Sequence, residues 1–321
     1  MITPRWQCLA LPLLALLAAT GGCRNGGDVE TYSRMIICPN TSPGRLGLAL
    51  AGTPEQLIAA GRISAHRRVR VADGVELDTW IISPRSEPQR GTVVILHGLA
   101  DSKASYLGLG ERLAKMGYGI VLPDLRAHGQ SGGQHVTFGA LEKRDVKRLV
   151  DNLVAAGDAR KPLYVIGISM GAAIAVRYAA LDNCCRGVVA VAPYKDARDV
   201  VRRMVPLMGQ ATYEAVWARA AQTAGFDPND TSTTAAAAKL KCPLVVVHGR
   251  LDNIVPYDQG QAVYEAAPQP KRMYTVPLAG HSTILLGREA WLAEQIAGLE
   301  TMRPASDRTS GPPSPQNIHR P

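Results

Sequence analysis

Ser169 sits in the run Gly167-Ile168-Ser169-Met170-Gly171, after the short apolar stretch Leu163–Ile166 and before the helix-forming stretch Met170–Leu181. A sharp strand-to-helix turn of this kind forces the serine backbone into a strained conformation and lifts its Oγ clear of the chain. Glycines on either side keep side chains from colliding across the turn. The five-residue pattern alone is weak evidence, and the strand and helix around it make it informative. A serine is a poor nucleophile without a base, and the base needs a carboxylate to orient it. Both types follow, each just past a strand-like run. Asp252 comes after Leu244–Val247, in His248-Gly249-Arg250-Leu251-Asp252, and His281 comes after Met273–Val276, in Gly280-His281-Ser282. Serine, aspartate and histidine in this order, all at strand ends, suit nucleophilic acyl transfer.

Such a reaction also needs donors for the oxyanion that develops on the attacked carbonyl. His97-Gly98-Leu99 follows the run Thr92–Leu96 directly. Gly98 lets the backbone turn so that the Leu99 amide faces the reacting carbonyl, and the Met170 amide, first in its helix, is the second donor. The remaining histidines read as structural: His66 in a charged edge, His128 in a Gly-rich turn, His135 in a loop, His248 ahead of the Asp252 loop and His319 in the tail. No cysteine or histidine cluster has metal-ligand spacing, and the chemistry calls for no metal and no organic cofactor.

The elements that must hold these residues alternate along the chain. Arg68–Val71 and Glu76–Ile82 flank Asp73-Gly74, a hairpin turn signal. Thr92–Leu96 is a continuous apolar run rich in β-branched residues, and its kind recurs at Gly119–Leu122, Leu163–Ile166, Val188–Val191, Leu244–Val247 and Met273–Val276. Such runs suit parallel strands covered on both faces. Helical patterns lie between them at Tyr106–Met116, Ala140–Ala155, Met170–Leu181, Tyr257–Ala266 and Glu289–Leu299. A hairpin followed by repeated β-α units predicts an α/β domain with a mostly parallel sheet and helices on both faces. One interval, 194–241, has no clear strand. Tyr213, Val216, Trp217, Ala220 and Ala221 form a helical apolar stripe there, Val201, Met204, Val205 and Met208 form another, and Pro206 ends or kinks the second.

The composition is that of an ordinary globular protein: 46% hydrophobic, 20% charged, with 31 Gly and 22 Pro. It excludes a disordered chain, a coiled coil and a polytopic membrane protein. The net charge is +9, but the charges are spread along the chain and aromatics make up only 5%, which argues against nucleic acid as a partner. The densest basic run, His66-Arg67-Arg68-Val69-Arg70, falls in a predicted edge strand, where charge discourages sheet-to-sheet pairing. Arg5, an apolar run from Cys8 to Ala19 and the small residues Thr20-Gly21-Gly22 describe an export signal over residues 1–22, too short to span a bilayer. Residues 304–321 carry five prolines among Ser, Gly, Asn and Arg, and read as a disordered tail.

Taken together, Leu96-His97-Gly98, the run from Asp124 to Ser131, the Ser169 turn, Asp252 and Gly280-His281 resemble an α/β-hydrolase, nearest to the serine aminopeptidase-like and monoglyceride-lipase-like branch. The likeness covers about Val69 to Leu299. It implies an α/β-hydrolase domain over 66–303 with a short helical lid at 194–241. Within it, Ser169 is the nucleophile, His281 the base, Asp252 its orienter, and Leu99 and Met170 the oxyanion donors. It assigns Asp124, Arg126 and Gly129 to the stability of a loop. The ending Thr20-Gly21-Gly22-Cys23 is similar to a bacterial lipoprotein signal, although Thr20 stands where that pattern usually has Leu. That resemblance implies lipidation of Cys23, a membrane anchor, and, with Arg24 rather than Asp next, sorting to the outer membrane. Without lipidation the protein is periplasmic or secreted. Residues 23–65 are then a tether and N-terminal extension. If the strands Val188–Val191 and Leu244–Val247 are neighbours, as the resemblance implies, Cys242 can reach Cys184 or Cys185; the alternative is that all are free thiols or small core residues.

The expected function is hydrolysis of a small-molecule carboxylic ester through an acyl-serine. A serine peptidase of the same fold uses the same groups, but the lid lacks an acidic cluster to hold a substrate amino terminus. A third reading is a non-catalytic, lipid-anchored binding protein, since a fold does not by itself guarantee an activity.

Overall fold

The computed structural model describes residues 27–38, 41–302 and 316–317. The expected signal at 1–22 and the lipidation site Cys23 lie outside these residues. Eight strands of five to seven residues form one sheet: β1 (Ala65–Arg70), β2 (Glu76–Ile82), β3 (Thr92–Leu96), β4 (Gly119–Pro123), β5 (Leu163–Ile168), β6 (Cys185–Val191), β7 (Leu244–Gly249) and β8 (Lys271–Val276). Their spatial order is β1-β2-β4-β3-β5-β6-β7-β8. β1 and β2 pair antiparallel as a hairpin, with Asp73 and Gly74 both at positive φ in the turn, and β2 runs antiparallel to β4. From β4 to β8 every pairing is parallel. A two-residue β9 (Gln316–Asn317) pairs with Tyr274 and Thr275 of β8. The rest of the expected tail, 304–321, lies outside the described residues.

The continuous apolar runs work as expected of strands buried on both sides. Val94, Leu96, Val165 and Val188 point into one core layer, while Val93, Ile95, Tyr164, Ile166 and Val189 point into the other. Helices α5 (Glu142–Ala156) and α6 (Met170–Leu181) fill the first layer, and α4 (Leu107–Lys115) and α11 (Glu289–Thr301) the second. Between β7 and β8 runs α10 (Tyr257–Ala266).

The interval 194–241 holds three helices, α7 (Ala197–Met204), α8 (Gln210–Ala224) and α9 (Thr233–Ala237). The stripe Tyr213, Val216, Trp217, Ala220 and Ala221 is buried, and α7 ends two residues before Pro206, which cannot continue it. Among the described residues three helices precede the sheet: α1 (Gly27–Ile37), α2 (Ser42–Ala51) and α3 (Pro54–Ala59). They make the extension a folded part of the body. On α1, Glu30 pairs with Arg219 of α8, and Ile36 and Ile37 are buried. Gly44 of α2 lies so close to the segment after β3 that a Cβ would sit 2.5 Å from Asp101 O, while Ser102 Oγ donates to Gly44 O at 3.0 Å.

All four described cysteines, Cys38, Cys184, Cys185 and Cys242, are free thiols. The strands that follow Cys185 and Cys242 are neighbours, and of the two adjacent cysteines it is Cys185 whose thiol meets that of Cys242. Cys184 lies beside the Lys161 ammonium instead.

Candidate active site

Parallel strands deliver their carboxyl ends to one rim, and every candidate residue stands there. Ser169 bridges β5 and α6 with φ 55° and ψ −116°, a left-handed conformation that a side-chain-bearing residue holds only when its surroundings impose it. The imposition is visible. The Ser169 amide donates to Val191 O at 2.8 Å. A Cβ on Gly167 would lie 2.1 Å from Gly171 O, and one on Gly171 would lie 2.2 Å from Leu96 O. These glycines are therefore required by backbone contact across the turn and against β3.

β7 and β8 are neighbours, so the loops after them bring Asp252 and His281 together. Asp252 is buried. Its Oδ1 accepts from the Ile254 amide at 3.0 Å and the Val255 amide at 2.8 Å, leaving Oδ2 to accept from His281 Nδ1 at 2.7 Å. With the proton held on Nδ1, His281 Nε2 is the acceptor for the Ser169 hydroxyl, 2.9 Å away. Three residues separated by up to 112 positions thus form one chain of hydrogen bonds, with the carboxylate buried and the serine and histidine half-exposed.

The segment His97-Gly98-Leu99 leaves β3 beside Ser169, since Leu96 pairs with Gly167. A Cβ on Gly98 would be 3.4 Å from Ser169 Cβ, which places the Gly98–Leu99 peptide next to the Ser169 side chain. Met170 is the first residue of α6, where a helix amide has no acceptor within the helix and is free for a ligand. His97 is fully buried: its Nδ1–H donates to Gly98 O at 2.8 Å and its Nε2 accepts from the Leu125 amide at 2.9 Å. Burial lowers its pKa, so it is neutral. His248 is likewise a buried neutral histidine, donating from Nε2 to Val255 O at 2.8 Å and so bracing the Asp252 loop.

Two features escaped the sequence. Lys103 is 1% exposed, its ammonium 2.8 Å from Asp78 Oδ1 and 2.5 Å from Asp124 Oδ2. Asp124 also accepts from the Lys103 and Gln130 amides, and Arg126 forms a two-pronged pair with Asp145, so Asp124 and Arg126 tie down the loop after β4. The second is His128, whose Nδ1–H donates to Arg126 O at 2.9 Å and whose Nε2 accepts from the Ala100 amide at 3.2 Å. The run Asp101-Ser102-Lys103 carries no local signal of burial. A histidine in a glycine-rich turn gives no hint of the distant amide that it holds.

Comparison with known proteins agrees with the architecture. The family model described as serine aminopeptidase, S33, matches residues 87–231. The uncharacterized protein YqkD of Bacillus subtilis is 25% identical over 223 residues, covering 66% of this chain and 70% of its own. A monoacylglycerol lipase of Mycolicibacterium smegmatis is 36% identical over 106 residues, 32% of this chain and 36% of the lipase. Among solved structures, the Pyrococcus furiosus esterase Pf2001 superposes with a TM-score of 0.59 at 25% identity, over 77% of this chain and 93% of the esterase. Est1E from Butyrivibrio proteoclasticus, solved with ferulic acid bound, gives 0.57 at 19% identity, over 73% and 99%.

Proposed function

We propose that this chain, which has the α/β-hydrolase fold, is a serine hydrolase that cleaves carboxylic esters through an acyl-serine. The observation that carries the reading is the unbroken hydrogen-bond chain from Asp252 through His281 to Ser169. In the proposed reaction Ser169 Oγ attacks the ester carbonyl while His281 Nε2 takes its proton, and Asp252 stabilises the imidazolium that forms. The Leu99 and Met170 amides receive the oxyanion. His281 returns the proton to the departing alcohol, then draws one from water, whose attack frees the acid and restores Ser169.

An apolar acyl or alcohol group fits the rim. Leu251 and Leu278, on the loops that carry Asp252 and His281, are 60% and 88% exposed. The names of the relatives point the same way, to esterases and a monoacylglycerol lipase. A panel of p-nitrophenyl esters of increasing acyl length, run beside aminoacyl anilides, tests the reading. Hydrolysis of esters but not anilides is expected, and anilide turnover matching ester turnover would replace it with a peptidase.

We further propose that the protein is exported and lipidated at Cys23, anchoring it to a membrane. This rests on the basic start, the short apolar run and the small-small-Cys ending. Mass spectrometry of the mature amino terminus decides it: a diacylglyceryl-cysteine is expected, and an unmodified terminus elsewhere defeats the reading.

A further inference from the structure

We infer that His128 is a positioning residue for the oxyanion hole, holding the Ala100 amide so that the neighbouring Leu99 amide stays aimed at the reacting carbonyl. The inference rests on the reading of Leu99 and Met170 as the oxyanion donors.

Its basis is the backbone around Leu99. The Leu99 N–H belongs to the same peptide unit as the Gly98 carbonyl, and that carbonyl is held by His97 Nδ1 at 2.8 Å. The next peptide unit carries the Ala100 N–H, and its acceptor is His128 Nε2 at 3.2 Å. Ala100 itself has φ 61°, a left-handed conformation that is unfavourable for an alanine and persists only where neighbours impose it. The strained residue is therefore pinned at its own amide by a side chain from a different loop. Released from His128, Ala100 would relax toward negative φ, and the rotation would carry the Leu99 peptide with it. A displacement of ~1 Å at such a donor is enough to cost a large part of its effect.

The His128 ring is fixed to do this. It is 1% exposed, donates Nδ1–H to Arg126 O at 2.9 Å, and packs edge-to-face on His97 at 5.0 Å between centroids. Arg126 is in turn locked by Asp145. Nδ1 must carry the proton for the Arg126 bond, so Nε2 is an acceptor. Burial also keeps the ring neutral, its pKa pushed down to about 4. The Asp124–Gln130 turn thus acts as a bracket behind the oxyanion segment.

Two variants separate positioning from mere packing. His128→Gln places an amide oxygen at the reach of Nε2 and can still accept from Ala100. His128→Asn places its amide at the reach of Nδ1, keeping the Arg126 bond and losing the one to Ala100. Both are measured beside wild type for ester kcat and KM, for affinity to phenylboronic acid, whose serine adduct puts an oxygen in the hole, and for thermal midpoint. The expected result for Asn is a tenfold or greater loss in kcat and in boronate affinity, KM within threefold of wild type and a cooperative melt. Gln is expected within threefold of wild type on all counts. Equal losses in Gln and Asn, or an Asn variant with unchanged boronate affinity, would overturn the inference. If the Asn chain does not fold, Gln decides alone: within threefold supports it and a tenfold loss refutes it. Failure of the underlying reading looks different, because wild type would then bind no boronate through Ser169, as shown by equal binding to Ser169→Ala.

Discussion

Replacing Asp252 by Asn changes one atom, and the structure dictates which way the new amide must face. Oδ1 of Asp252 accepts from the Ile254 and Val255 amides, so the asparagine oxygen is held at that position; turning it away would point an NH2 group at two N–H donors. The NH2 group is then left facing His281 Nδ1, where the carboxylate oxygen stood at 2.7 Å. Two donors cannot share that contact, so the imidazole moves its proton to Nε2. That atom faces Ser169 Oγ at 2.9 Å and must be bare to take the hydroxyl proton. The base is present but in the wrong tautomer. The expected loss is ~10⁴ in kcat, or ~5.5 kcal/mol of transition-state stabilisation. Because both bonds to Oδ1 survive, the fold should keep its thermal midpoint within a few degrees. Steady-state hydrolysis of p-nitrophenyl acetate with a melting curve on the same preparation measures both. A folded variant within tenfold of wild-type kcat would refute the role of Asp252 as orienter.

Gly171→Ala places a methyl 2.2 Å from the backbone oxygen of Leu96, which cannot give way as a flexible side chain would, and should cost at least ~3 kcal/mol or prevent folding; a melt within ~1 kcal/mol of wild type would contradict the account of the Ser169 turn. Stability should fall in acid because His128 ionises near pH 6.5 when unfolded but only at about 4 when folded. The unfolded chain therefore binds more protons between these values, and ~3 kcal/mol present above pH 6.5 is lost by pH 4. Denaturant melts should show that slope reduced in His128→Gln, and an identical slope would refute the assignment. Exposure to oxidised glutathione should join Cys185 and Cys242, whose thiols already meet, by exchange that releases two equivalents of glutathione. Peptide mapping should find that bridge in wild type and lose it in Cys185→Ser; a bridge through Cys184 instead would count against it.

Much of this molecule was legible in its residues. Thr92–Leu96 begins and ends where the sequence places it, because a five-residue β-branched run between a glycine and a histidine has few other options. The order of Ser169, Asp252 and His281, each after such a run, points to one rim, and the parallel pairing of β5 to β8 puts them there. What was missed depends on distant partners. Lys103 reads as a surface lysine, and only the convergence of Asp78 from β2 and Asp124 from the loop after β4 makes its burial favourable. The three helices described ahead of the sheet are short, and α1 and α2 are held by contacts with α8 and with the segment after β3. One local signal was there to read: Thr53-Pro54-Glu55-Gln56 is a capping box, with Gln56 N donating to Thr53 Oγ1 and Thr53 N donating to Gln56 Oε1.

The central claim, that Ser169 is an activated nucleophile, is tested most directly by its reaction with a fluorophosphonate. Intact-mass analysis should find a single adduct per chain, mapped to Ser169, absent from Ser169→Ala and formed far more slowly in His281→Ala. An adduct on another residue, or labelling of Ser169→Ala at the wild-type rate, would contradict it.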